Sequence, residues 1–212
     1  MTEKTEYYYL SLPDGYSQSY VLDYKRGKKA VGITFGALGL FALVLAIMLI
    51  VTRFSFTDLF IDNYQVGIEA IFSSPVFILT YIVLHELLHF IGFKIITREK
   101  VKFGLNWACS YQDVPNAYIK KWPFFVVTLL PFFIFSSVLL PVAIMIDNIF
   151  ISFMASFIFA CHIAGSIDDF IEAGYLLFYA PEDTLVHTNG LILEFYTFSK
   201  KESVNNEGNL LT

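Results

Sequence analysis

Residues 85–89 read His-Glu-Leu-Leu-His, which matches the pattern H-E-x-x-H. Positions i and i+4 of a helix lie on the same face, so the imidazoles of His85 and His89 can bind one zinc ion. Glu86 then lies beside the open position of the metal, where its carboxylate can take a proton from a water molecule. The alternative is that the three side chains merely pack within a helix bundle. It is disfavoured because Glu86 lies inside the apolar run VLHELLHFIGF, where an ionisable group costs a few kcal/mol unless it is paired or bound to a metal.

A zinc site needs a third protein ligand and an open fourth position. The remaining histidines and the remaining acids of the apolar segments are His162, His187, Asp168, Asp169 and Glu172. His162 and Asp169 share one helical face, because their spacing is a multiple of the three-to-four-residue repeat. His162 can also be a hydrogen-bonded packing residue, and Asp168 and Asp169 can mark a wet helix end. The residues alone leave these alternatives open.

The composition indicates a membrane protein. Hydrophobic residues make up 56% of the 212 residues and charged residues 16%, against about 45–50% and 25% in soluble domains. The mean hydropathy is +0.61, and a soluble fold this small could not bury so much apolar surface. The net charge of −5 provides no basic stripe to neutralise phosphates, which excludes a nucleic-acid partner.

The apolar runs predict an all-α integral membrane protein with about four transmembrane helices and one short cytoplasmic strand or hairpin. Each run exceeds the ~20 residues that cross the ~30 Å hydrocarbon core of a bilayer. The predicted spans are 30–52, 70–96, 122–146 and 149–180. They divide the chain into an N-terminal arm, a membrane domain and a C-terminal tail, at 1–29, 30–181 and 182–212. Alternation in V-K-F-G-L at 101–105 predicts the strand. Pro131, inside the third span, is tolerated where a neighbouring group satisfies the carbonyl that it frees.

The distribution of positive charge predicts the orientation of these spans. With both termini in the cytoplasm, all of the fourteen Lys and Arg residues except Arg53 lie inside, as the positive-inside rule requires. The second and fourth spans then both run inward. We therefore expect the H-E-x-x-H histidines and the acidic pair near residue 169 to lie at similar depth, toward the cytoplasmic leaflet.

Four motifs together resemble a known family. HELLHFIGF within a span, a K-F-G strand, a P-F-F span and A-G-S-I-D-D-F are similar to the "putative zincin peptidase" family of small bacterial membrane proteins, and more distantly to site-2 proteases. The resemblance covers about residues 25 to 198. The last motif of the family reads A-G-S-x-x-D before an apolar residue, which implies that Asp169 is the third metal ligand. Asp168 fills a place that is often small in relatives, and the glycine that site-2 proteases carry after their aspartate is absent.

These observations predict a zinc-dependent endopeptidase of the bacterial cytoplasmic membrane. His85, His89 and Asp169 would bind Zn²⁺, and Glu86 would be the general base. Its partners would be the lipid bilayer and a membrane-protein or peptide substrate, cut near the cytoplasmic face. The alternative is a non-catalytic metal-binding membrane scaffold or a degenerate protease homologue. A metal transporter is disfavoured, because no inverted repeat is visible in the sequence.

Overall fold

The structure is a computed structural model that describes residues 6–24, 28–52, 57–106, 109–189 and 191–199. The described residues form five α-helices, with a short π-helical segment at Asp58–Asp62 ahead of the second. The helices are α1 (Lys28–Val51), α2 (Tyr64–Thr97), α3 (Lys121–Met145), α4 (Ile149–Gly165) and α5 (Ile167–Phe178). The far ends of the predicted arm and tail lie outside the described residues.

Three of the helices are long and apolar enough to cross a membrane. These candidate spans are Val31–Val51 in α1, Tyr64–Thr97 in α2 and Lys121–Met145 in α3. The helices α4 and α5 pass the same test only as a pair, which bends by 46° between them. The sequence run at 149–180 therefore forms two helices with a bend between them, and the fourth span at 149–180 stays a prediction.

Helix α4 packs against α1, α2 and α3 and forms the centre of the bundle. Its buried face carries a small residue at every fourth position, namely Ser152, Ser156, Ala160 and Ala164. Small side chains at this spacing let neighbouring helix backbones approach closely, which is the usual way that apolar helices associate in a bilayer. The outer faces of the bundle expose large apolar side chains instead, such as Phe35, Phe72 and Phe133.

The prediction of an all-α fold is wrong, because the described residues also form seven strands. The strands are β1 (Tyr8–Tyr9), β2 (Tyr16–Asp23), β3 (Lys102–Asn106), β4 (Cys109–Asp113), β5 (Tyr118–Lys120), β6 (Leu185–Asn189) and β7 (Ile192–Phe198). Five of them form one antiparallel sheet in the order β1-β5-β6-β7-β2, while β3 and β4 form a separate hairpin. The hairpin includes the strand predicted at 101–105.

The sheet escaped prediction because its strands come from opposite ends of the chain. In the predicted arm, β2 pairs with β7 of the predicted tail, and Leu22 lies opposite Leu193. β7 also pairs with its neighbour in the sequence, β6, in a hairpin. Among the described residues, β2 pairs with no strand that is near it in the sequence. Local patterns therefore indicate separate extended segments at most, whereas the sheet forms by pairing across the whole chain.

The strands all connect to one end of the helix bundle, where α1 begins, α2 ends, α3 begins and α5 ends. The main hydrophobic core lies at this junction and includes Ile119 and Phe195 of the sheet with Phe124 and Leu176 of the helices. Buried Lys121 links the start of α3 to the segment after α5, because its Nζ donates a hydrogen bond of 2.9 Å to the carbonyl of Ala180. The sheet thus caps the end of the bundle at which the H-E-x-x-H motif lies.

Candidate metal centre

The structure brings together the three side chains that the sequence predicts as metal ligands. The donor atoms of His85, His89 and Asp169 all lie within 4.8 Å of one another. Asp169 Oδ2 lies 3.4 Å from His85 Nε2, and Asp169 Oδ1 lies 3.3 Å from His89 Nε2. Both histidines are buried on one face of α2, and the aspartate side chain is only 14% exposed.

Asp169 reaches this position from the start of α5, directly after the break between α4 and α5. The acidic pair falls in the first turn of α5, where the positive end of the helix dipole favours a carboxylate. Just before the break, α4 passes close to α2, since a Cβ on Gly165 would lie 3.4 Å from the hydroxyl of Tyr81. A larger residue at 165 would therefore press on the helix that carries the two histidines.

His89 is oriented by a backbone carbonyl that a proline frees. Its Nδ1 lies 3.1 Å from the carbonyl oxygen of Val127 in α3. Pro131, four residues later, has no N–H to donate to that carbonyl, as any other residue in a helix would. A carbonyl only accepts hydrogen bonds, so His89 carries a proton on Nδ1, which leaves Nε2, the nitrogen that faces Asp169, as the one available to bind a metal. Gly92 permits the close approach of the two helices, because a Cβ there would lie 2.8 Å from Val127 Cγ1.

The donor set fits a divalent cation. In a neutral His89 the lone pair of Nε2 faces the carboxylate of Asp169, and a cation between the two groups stabilises that arrangement. Asp169 Oδ2 is buried, and no described residue is its hydrogen-bond partner. The separations of 3.3 and 3.4 Å run to different oxygens of Asp169, and each is close to the edge of a zinc tetrahedron, about 3.3–3.4 Å for bonds of about 2.0–2.1 Å. Two imidazoles and a carboxylate suit zinc and several other divalent metals.

Glu86 lies beside the ligands and contacts the β3–β4 hairpin. Gln112 of β4 donates hydrogen bonds from Nε2 to Glu86 Oε2 at 2.9 Å and to the Glu86 carbonyl at 2.7 Å. Both partners are acceptors, which fixes the orientation of the amide. Gln112 Oε1 then faces the other way, where none of the residues that the structure describes pairs with it. Sequence reasoning missed Gln112, since nothing local distinguishes it from other polar residues of the loop.

The other candidate ligands lie outside the group of three. His162 is fully buried next to Tyr81, and His187 lies in the sheet, where its Nδ1 is 3.1 Å from the carbonyl of Ala117. Asp168 precedes Asp169 in α5, and its buried Oδ1 has no hydrogen-bond partner within the described part of the chain.

Tyr24, which lies just before α1, is close to Asp168 and to Glu172 of α5. Burial, together with the nearby carboxylates of Glu172 and Asp168, raises the pKa of the Tyr24 hydroxyl above its ordinary value, so that it stays protonated. A protonated hydroxyl can donate to a carboxylate, which suits a position beside several acids.

The fold and the site define a helical protein with three candidate membrane spans and a centre of two histidines and one aspartate. The family model described as "Putative zincin peptidase" matches residues 78–185, a range that includes all three candidate ligands and Glu86. The chain belongs to the putative zincin peptidase family. No curated protein and no solved structure matches it, and the more distant similarity to site-2 proteases stays a prediction.

Proposed function

We propose that this protein is a zinc-dependent endopeptidase embedded in the membrane, which hydrolyses membrane proteins or peptides near the cytoplasmic face. The observation that carries the proposal is the convergence of His85, His89 and Asp169 within 4.8 Å. The two histidines lie on a helix that is long and apolar enough to cross a bilayer, and the aspartate lies on the bent pair of α4 and α5, which passes the same test as a pair. Membership of the zincin family supports the same chemistry.

In this proposal His85, His89 and Asp169 hold the metal through two Nε2 atoms and one carboxylate. When bound, zinc would polarise the scissile carbonyl and acidify a water molecule. Glu86 accepts the proton of that water and then delivers it to the leaving amine. Gln112 keeps the Glu86 carboxylate in place through the hydrogen bond to Oε2.

The β3–β4 hairpin is the element that we assign to substrate binding. A helical substrate hydrogen-bonds its own carbonyls, so it must unwind before a peptide bond can be attacked. The hairpin touches Glu86 through Gln112, and among the described residues it pairs with no third strand. An unwound stretch of substrate can add to its edge as an extended strand.

The first experiment measures metal and hydrolysis in purified protein. We expect about one equivalent of zinc, and cleavage of a quenched-fluorescent peptide with a transmembrane sequence in detergent micelles. Glu86→Gln should bind as much zinc as the unmodified protein and lose cleavage, because Glu86 is not a ligand. Less than a tenth of an equivalent of zinc, iron or cobalt would refute the metal site. A Glu86→Gln protein with full biological activity would favour the non-catalytic scaffold instead.

The orientation requires a separate test by thiol labelling. In a background without Cys109 and Cys161, single cysteines at Ile96 and Tyr179 should react with an impermeant reagent only after the cytoplasmic side is opened. A cysteine at Asp147, in the turn between α3 and α4, is the matched control and should react in intact cells. Labelling of the first two positions from outside would place the site in the outer leaflet.

A further inference from the structure

His162 is a polar side chain that the proposed ligand set leaves unexplained. It is fully buried, and its ring packs against the aromatic rings of Phe132, Phe135 and Phe159. Such surroundings favour the neutral imidazole, because burial among apolar groups disfavours a charge. A neutral imidazole has one donor nitrogen and one acceptor nitrogen, so its partners reveal which is which.

The contacts of His162 fix a direction for a chain of hydrogen bonds. Its Nε2 lies 3.3 Å from the carbonyl oxygen of Phe132, which only accepts, so Nε2 carries the proton and Nδ1 is an acceptor. The hydroxyl of Tyr81 lies 3.2 Å from this Nδ1 and donates its single proton there. Ser136 Oγ, 3.3 Å from Nε2, can accept from the same N–H.

The direction of this chain determines the tautomer of His85. The Tyr81 oxygen also lies 3.0 Å from His85 Nδ1. Because the only proton of the hydroxyl is already donated to His162, this contact requires His85 to donate from Nδ1. The lone pair of His85 is then on Nε2, the nitrogen that faces Asp169 at 3.4 Å.

We propose that Tyr81 and His162 are positioning residues, which form a relay that holds His85 with its proton on Nδ1 and its Nε2 ready to bind metal. The inference rests on the proposed function for the identity of the metal, and it assigns to His162 a role that is not ligation. His89 needs no such relay, since the backbone carbonyl of Val127 fixes its tautomer directly. The two histidines of the motif are thus oriented by different means.

The first test compares zinc affinities by competition with a chelator. Tyr81→Phe removes the bridging hydroxyl and His162→Leu removes its acceptor, and each should weaken zinc binding about 10–100-fold, the range for loss of a group that orients a ligand. His162→Asn should restore most of the affinity, because its Oδ1 can accept where Nδ1 does. Tyr64→Phe, at an exposed position of the same helix, is the matched control and should bind zinc normally.

The second test reads the tautomers directly and does not depend on affinity. The chain has four histidines, so ¹⁵N spectra of histidine-labelled protein can be assigned by single substitutions. We expect His162 to be protonated on Nε2 and His85 on Nδ1. A His162 protonated on Nδ1, or unchanged zinc affinity in both Tyr81→Phe and His162→Leu, would overturn the relay while leaving the metal site intact. Absence of zinc from the unmodified protein would instead refute the proposed function.

Discussion

Replacement of Pro131 by alanine should stabilise the protein and weaken its metal site at the same time. Proline in a helix interior costs about 3 kcal/mol relative to alanine, and the new N–H can donate to the carbonyl of Val127. That carbonyl now accepts from His89 Nδ1 at 3.1 Å, so the two donors would compete for it. We expect zinc affinity to fall by about tenfold, the lower end of the range for weakened orienting contacts, which corresponds to about 1.4 kcal/mol.

The expected changes in stability and in zinc affinity have opposite signs, so a general loss of structure cannot produce both. Unfolding of the metal-free protein in detergent should require a higher temperature, whereas chelator competition should show weaker zinc binding. Pro141→Ala is the control in the same helix, since Pro141 is exposed and the carbonyl that it frees belongs to Ser137, also at the surface. It should stabilise the fold and leave zinc binding unchanged. If Pro131→Ala binds zinc as tightly as the unmodified protein, the freed carbonyl does not orient His89.

Three further experiments test the assignment of the site. Asp169→Ala should lose nearly all bound metal while Asp168→Ala keeps most of it, and equal retention in both would mean that the pair only marks a helix end. Gly92→Ala should weaken zinc binding, because its Cβ would lie 2.8 Å from a side-chain carbon of α3. Gly39→Ala is the control and should leave zinc binding unchanged, since its Cβ would meet no described atom within 4 Å. Equal zinc affinities of the two variants would contradict the packing argument. Gln112→Met should keep zinc but lower peptide turnover by about 10–100-fold, as expected for a misplaced catalytic group, and unchanged turnover would exclude a role in placing the general base.

The parts of the site that depend on local spacing could be predicted from the sequence. The interval between His85 and His89 places both rings on one face of any helix, and the apolar runs delimit α1 and α3 because helix length and composition are local properties. Asp169 was reached through a motif of the family, and the structure places it against both histidines. Tyr81 carries a signal that could have been used, since it precedes His85 by the same four residues.

The parts that depend on pairing across the chain could not be predicted. The five-stranded sheet joins β2 to β7, and no local pattern specifies a partner so distant in sequence. The contact from Gln112 to Glu86 depends on how the hairpin folds back onto α2, which the sequence of the loop does not encode by itself. The sequence predicts that Pro131 frees a carbonyl within α3. It does not predict that His89 donates to this carbonyl, because that contact depends on how α3 packs against α2.

His162 and Asp169, which share a helical face in the sequence, have different roles because they lie against different positions of α2. The two residues are seven positions apart, about 10.5 Å along a straight helix, and both α2 and the fourth apolar run continue in the same direction toward the sheet. His162 contacts Tyr81, so a residue seven positions further along the run lies level with His85 and His89. Asp169 is that residue, and its carboxylate oxygens lie 3.4 and 3.3 Å from the two histidines although the run bends by 46°. The spacing along the fourth run therefore separates a residue that orients a ligand from one that provides it.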